Sequence, residues 1–122
     1  MLNKEEIAQL TESLRKFGNK GKVFVCPAIF NSGALEYAEQ LGILFKDAGF
    51  EVRSVDIEKL EKDYVTSFPF SGVRIRIADK ANPPPRAAYI QKCFVAIGRE
   101  MPGDIDKDVD PNTVLIAIGG RP

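Results

Sequence analysis

Apolar residues recur at helical spacing over residues 2–17, where Ile7, Leu10, Leu14 and Phe17 share one face. Asn3 is placed to cap that helix. Glu6 completes a capping box, Leu2 and Ile7 form a hydrophobic staple, and Gly18 follows as the stop. After the turn Gly18-Asn19-Lys20-Gly21, the run Val23-Phe24-Val25-Cys26 is apolar on both faces, as a central strand requires. Ser32 is placed as the N-cap of a second helix whose stripe is Ala34, Ala38, Leu41, Phe45 and Ala48, widened by Leu35, Tyr37 and Leu44 and closed by Gly49. A strand over residues 50–57 comes next. Its apolar phase changes between Val52 and Val55, which predicts a bulge near Arg53-Ser54.

Residues 58–63 are a charge run, read as a solvated turn or short helix. Val73-Arg74-Ile75-Arg76-Ile77 alternates, so one face is buried and the other presents two arginines. A loop over residues 79–85 ends in three prolines, with Pro85 as the first residue of a third helix. That helix reaches residue 97 with Ile90, Cys93, Phe94 and Ile97 on one face, and Gly98 stops it. Residues 99–112 read as a polar, acidic loop, and residues 113–118 as a continuous apolar strand.

The order is α-β-α-β-β-α-β, an α/β (α+β) domain over residues 1–122: an N-terminal helix to residue 18, then two β-α-β halves. Each half implies a crossover between parallel strands. The expected architecture is a four-stranded mixed sheet with two crossover helices on one face. The two strands that are apolar on both sides lie side by side, and the N-terminal helix covers their second face. An antiparallel pairing of the two middle strands would make the arrangement ferredoxin-like.

Composition narrows the function. Lysine plus arginine and aspartate plus glutamate both total 17, so the net charge is zero. No global field draws nucleic acid or an anionic membrane, and neither is an expected partner. Histidine is absent, which removes the commonest acid/base catalyst, the commonest metal ligand and the usual activator of a nucleophile. No other catalytic constellation has diagnostic spacing, and no cofactor or metal is expected. Cys26 and Cys93 read as small buried hydrophobes, a usage that fits a reducing, cytoplasmic setting. Residues 1–17 carry no apolar leader core, and no apolar run approaches a membrane span.

Four features are candidate sites. Asn31, Ser32 and Gly33 open a helix after a strand, where free N–H groups either receive an anion or are simply capped. Arg74, Arg76 and Arg86 either hold a carboxylate or phosphate together or line a solvated face. Asp104, Asp106, Asp108 and Asp110 alternate like an EF-hand opening, but Val109 stands where its glycine should be and Leu115 where its glutamate should be. They read as a solvated loop. Tyr64, Phe68, Pro69 and Phe70 form an aromatic stretch that either tucks beneath the domain or anchors a partner.

The segments GKVFVCPAIFNSGALEYAEQLGILFKDAGFEV, FSGVRIRI, PPPRAAYIQKCFVAIG and TVLIAIGGRP together resemble a family of bacterial domains of unassigned function. These often stand at the C-terminus of membrane-anchored proteins and end in a similar strand followed by Gly, a basic residue and Pro. More distantly, YAEQLGILFKDAGFEV is similar to the LytR C-terminal domain, the TolB N-terminal domain and the anticodon-binding domains of tRNA synthetases. The resemblance covers residues 14–122 and rests on apolar and glycine positions. It implies an α/β sandwich that acts by binding, and it transfers no functional residue. The expectation is a non-enzymatic module that binds a protein, or itself as a homodimer, through Tyr64, Phe68, Pro69 and Phe70. The alternative is an anion or small-ligand sensor using Asn31, Ser32 and Gly33 with Arg74, Arg76 and Arg86.

Overall fold

The computed structural model describes residues 1–18, 21–28, 32–54, 70, 72–107 and 109–119. Helix α1 spans Lys4–Arg15 and begins as its sequence predicts. The Asn3 side chain accepts from the Glu6 N–H at 2.8 Å, and the Glu6 carboxylate accepts from the Asn3 N–H at 3.0 Å. The C-cap is Lys16, and Gly18 has no left-handed φ, so Gly18 is not the stop that its position suggests.

Strand β1 (Lys22–Pro27) leads to α2 (Ser32–Asp47) and β2 (Glu51–Ser54). Gly49 has φ 98°, and the Phe50 N–H returns to the Phe45 carbonyl at 3.0 Å. Only a residue without Cβ takes that bend at no steric cost, so this helix stop is written in the sequence. Strand β3 (Val73–Ile77) is followed by α3 (Pro85–Ala96), with Pro85 as first helical residue. Gly98 (φ 81°) closes α3 in the same way, with the Arg99 N–H on the Phe94 carbonyl at 2.9 Å. Strands β4 (Gly103–Ile105) and β5 (Val114–Ile118) complete the order.

The sheet runs β2-β1-β5-β3-β4. β1 is parallel to both β2 and β5, as two strands apolar on both sides should be when adjacent. Several details differ from expectation. Among the described residues the sheet has five strands, because Gly103–Ile105 pairs in parallel with β3. That segment has one apolar residue, Ile105, which is exposed, so no alternation announces it. The crossover through α3 therefore joins β3 to β4, and β5 runs antiparallel to β3. Finally, β2 is an edge strand among the described residues, with β1 and β5 between it and β3, so the middle strands do not pair and the arrangement is not ferredoxin-like. The β1–β2 register is unbroken through Ser54, so no bulge interrupts it as far as that residue; residues 55–57 of the predicted strand and the charge run at 58–63 lie outside the described residues.

Register sorts the side chains. Val23, Val73, Ile75, Val114, Ile116 and Ile118 share the face beneath α2 and α3, whose Leu41, Phe45, Ile90 and Phe94 close the core. Helix α1 packs against α2 and α3, with Leu10 and Leu14 fully buried. It does not cover the second face of the sheet. A helix whose stripe meets two neighbouring helices buries more apolar area than one laid across arginines. The Tyr89 hydroxyl donates to the Ser13 carbonyl at 2.5 Å, and the Phe17 ring stacks on Tyr89 at 4.6 Å. On the opposite face lie Phe24, Cys26, Leu115 and Ala117, then Arg74 and Arg76; Cys26, Leu115 and Ala117 are buried. Cys26 and Cys93 are both buried and both free thiols. With Cys93 on α3 and Cys26 facing away from the helices, the sheet separates them. Among the described residues, no helix is long and apolar enough to cross a membrane.

Arg99 ties the two ends of this helical layer together. Its guanidinium donates to both Glu6 oxygens, at 2.8 and 3.0 Å, and to the Met1 carbonyl at 3.0 Å. The Arg99 hydrogen bonds, then the Asn3 N–H, hold the Glu6 carboxyl at about 2, below its ordinary 4.5. A depressed carboxyl contributes stability above its unfolded pKa and loses it as pH falls towards the folded value. The wild type should therefore lose melting temperature between roughly pH 5 and 2 more steeply than Glu6→Gln. The gap between them should be widest near neutrality and close in acid. Parallel melting curves across that range would refute this.

Candidate functional site

The arginine cluster is engaged by the fold. Arg74 Nη1 lies 3.0 Å from Asp104 Oδ1, and Arg76 lies 3.8 Å from Asp104 and 3.6 Å from Asp106. Both aspartates come from or just after β4, whose register sets Arg76 opposite Asp104. The alternating acids thus neutralise β3 rather than hold a cation. Among the described residues no group of acids and thiols could hold a metal ion. Asp110 instead shapes the turn before β5, accepting from the Asn112 N–H at 2.8 Å. Asp108 lies outside the described residues.

Arg86 is not brought to this pair. Its guanidinium donates to the carbonyls of Lys22 (3.1 Å) and Asn112, where β1 and β5 begin. Arg74 stands opposite Ala117 near the other end of β5. Five residues of strand, at about 3.3 Å each, separate the two locations. Burial pulls the Arg86 pKa down. Ser32 is the first residue of α2 rather than its cap, Ser32 and Gly33 are both exposed, and Asn31 lies outside the described residues.

Of the aromatic stretch, Tyr64, Phe68 and Pro69 also lie outside the described residues. Phe70 is half-buried against the core, and the Arg74 guanidinium carbon sits 5.1 Å from its ring centroid. A cation at that distance is attracted by the ring's quadrupole. The tucked reading fits Phe70 better than the anchor reading does.

The thiols offer no nucleophile. Burial pushes Cys26 up to about 11 and raises Cys93 as well. Each therefore stays a neutral thiol at ordinary pH.

A different surface is open among the described residues. Along the flank of α2 that faces away from α1, a groove of about 520 Å³ runs between the helix and the sheet edge. Val25 and Val52 form its floor, and Leu35, Ala38, Gly42 and Ile43 form its wall. Leu35 is 51% exposed and Ile43 64%. The groove exists because α2 has apolar residues beyond those the sheet uses. Leu41 and Phe45 point into the core, whereas Leu35 lies about 80–120° around the helix from them and Ile43 about 160°. Gly42 deepens it, since a Cβ there would stand 3.8 Å from Val52 Cγ1. Below it runs β2, whose outer edge pairs with no strand among the described residues. Sequence reasoning missed this surface. Leu35 was visible as an over-wide stripe, but Ile43 reads as an isolated surface residue until β2 is known to be the edge.

Comparison with protein-family models, with curated proteins and with solved structures returned no match.

Proposed function

We propose that this chain is a non-enzymatic module that binds protein, a second copy included, through the α2 flank and the adjoining β2 edge. One observation carries the reading: Leu35 and Ile43 keep half or more of their surface in water beside an apolar groove and a strand edge. Single exposed apolar residues are ordinary. Two on one helix flank, over a groove floored by valines, match the way an extended segment or a helix is received at a sheet edge. The sensor reading has less support. The charges of Arg74 and Arg76 are already met by carboxylates, and Arg86 stands apart.

The test immobilises the protein and probes it with a displayed peptide library and with the free protein itself. Ile43→Glu serves as the control. Its stability should stay within about 0.5 kcal/mol of wild type, because the site is exposed and glutamate is a good helix former. At least one binder, peptide or self, should bind wild type and lose at least tenfold in affinity on Ile43→Glu. Finding no binder, or only binders indifferent to Ile43→Glu, would overturn the reading.

A further inference from the structure

We infer that the partner of this surface is a second copy of the chain, docked by antiparallel pairing of the two β2 strands about a twofold axis at Val52. This rests on the binding reading above and names its occupant.

The strand is self-complementary. Glu51 and Arg53 flank Val52 on the face away from α2 and are both exposed. Within one chain they pair with each other at 2.5 Å. Set two β2 strands antiparallel with Val52 opposite Val52. Glu51 of each copy then faces Arg53 of the other, because antiparallel partners across a centre at residue 52 sum to 104. Opposite charges directly across a sheet stabilise the pair, and like charges there oppose it.

The helix above repeats the pattern about the same point. Gly42 is the α2 residue over Val52. A twofold axis through Val52 makes the two α2 helices antiparallel at Gly42–Ile43, which sets Glu39 of one copy opposite Lys46 of the other. Both residues line the groove flank. Spacing agrees as well. Strands lie about 4.8 Å apart, and α2 packs over β1 and β2. The two helix axes therefore fall roughly 10 Å apart, at the upper end of the 8–10 Å of packed helices. Gly42 adds no side chain at the crossing, Leu35 points into the seam, and Ile43 stands at its outer rim. The product joins the five described strands of each copy into one continuous sheet and covers the β2 edge, which is unpaired among the described residues. An isologous interface of this kind closes on itself at two copies.

Sedimentation velocity and native mass spectrometry of the full chain decide the matter. Wild type should reach twice its 13.5 kDa mass within a concentration range of about 1–200 µM, the span of affinity expected for a small interface. Glu51→Arg alone and Arg53→Glu alone should each weaken the dimer about tenfold or more, since each sets like charges at both symmetric contacts. Circular dichroism should show both variants folded, as the two positions are exposed. Mixing the two variants should restore a heterodimer, in which both contacts again join opposite charges. A wild type monomeric throughout that range overturns the inference. So does a dimer indifferent to both substitutions, or a mixture that fails to form the heterodimer. Peptide binders lost on Ile43→Glu would leave the broader binding reading standing even then, so the two failures are separable.

Discussion

Replacing Phe45 with alanine should remove about 3–5 kcal/mol of folding free energy, a large share of the 5–15 kcal/mol that a domain of this size has. Phe45 is fully buried, and its ring meets Phe50 edge-on at a centroid distance of 5.6 Å. Its carbonyl also receives the Phe50 N–H in the turn that closes α2. The side chain therefore seats the helix on the sheet at the point where the chain reverses into β2. Truncation would leave a cavity that Leu41 and Leu44, themselves buried, could fill only by moving α2. Ile43→Ala, two residues earlier, should change stability by no more than about 0.5 kcal/mol, because that side chain is mostly in water. Urea unfolding would read both as midpoint shifts at constant slope. A Phe45→Ala loss below about 1.5 kcal/mol would mean that α2 collapses into the gap and is not seated as described. The contrast bears on function. Phe45 is explained by folding, and Ile43 is not.

Gly119→Ala should cost about 1–3 kcal/mol, towards the upper end of what overpacking usually costs. A Cβ at Gly119 would stand 1.9 Å from the Phe70 carbonyl oxygen and 2.7 Å from its ring. The atom struck is backbone, so no rotamer change relieves it. Nor can Gly119 simply retreat, since its N–H donates to the Gly72 carbonyl at 2.8 Å. The substitution must either break that bond or push Phe70 off its packing beneath Arg74. Gly18→Ala is the control: no atom lies within 4 Å of its Cβ position, and near-neutral stability is expected. Thermal melts of the two variants decide it. Equal melting temperatures would show that the segment at Phe70 shifts freely.

The arginines show how far residue types alone could lead. Alternation placed Arg74 and Arg76 on one face of a strand, and the structure agrees. Nothing local said that Asp104, thirty residues on, would lie 3.0 Å from Arg74, because that meeting depends on β4, a three-residue strand without an apolar pattern. Once β4 sits beside β3, an anion site becomes a pair of neutralised charges. The groove shows the converse. Leu35 and Ile43 carried no motif, and they matter only because, among the described residues, β2 ends the sheet and leaves one flank of α2 uncovered.

The sequence by itself determined where α1 and α3 start and where α2 and α3 stop, which strands are apolar on both sides and which residues enter the core. These properties are set by a residue and its neighbours within one or two turns: the Asn3–Glu6 capping box, Pro85 at a helix start, glycines with positive φ at 49 and 98, and the periods of 3.6 and 2. Only the tertiary structure decided the strand order, the direction of β5 against β3, the place of α1 on two helices and the pairing of each charge. Those outcomes follow from competition among segments far apart in the chain. Each segment is compatible with several partners, and the arrangement that buries the most apolar surface while meeting the most charges selects among them.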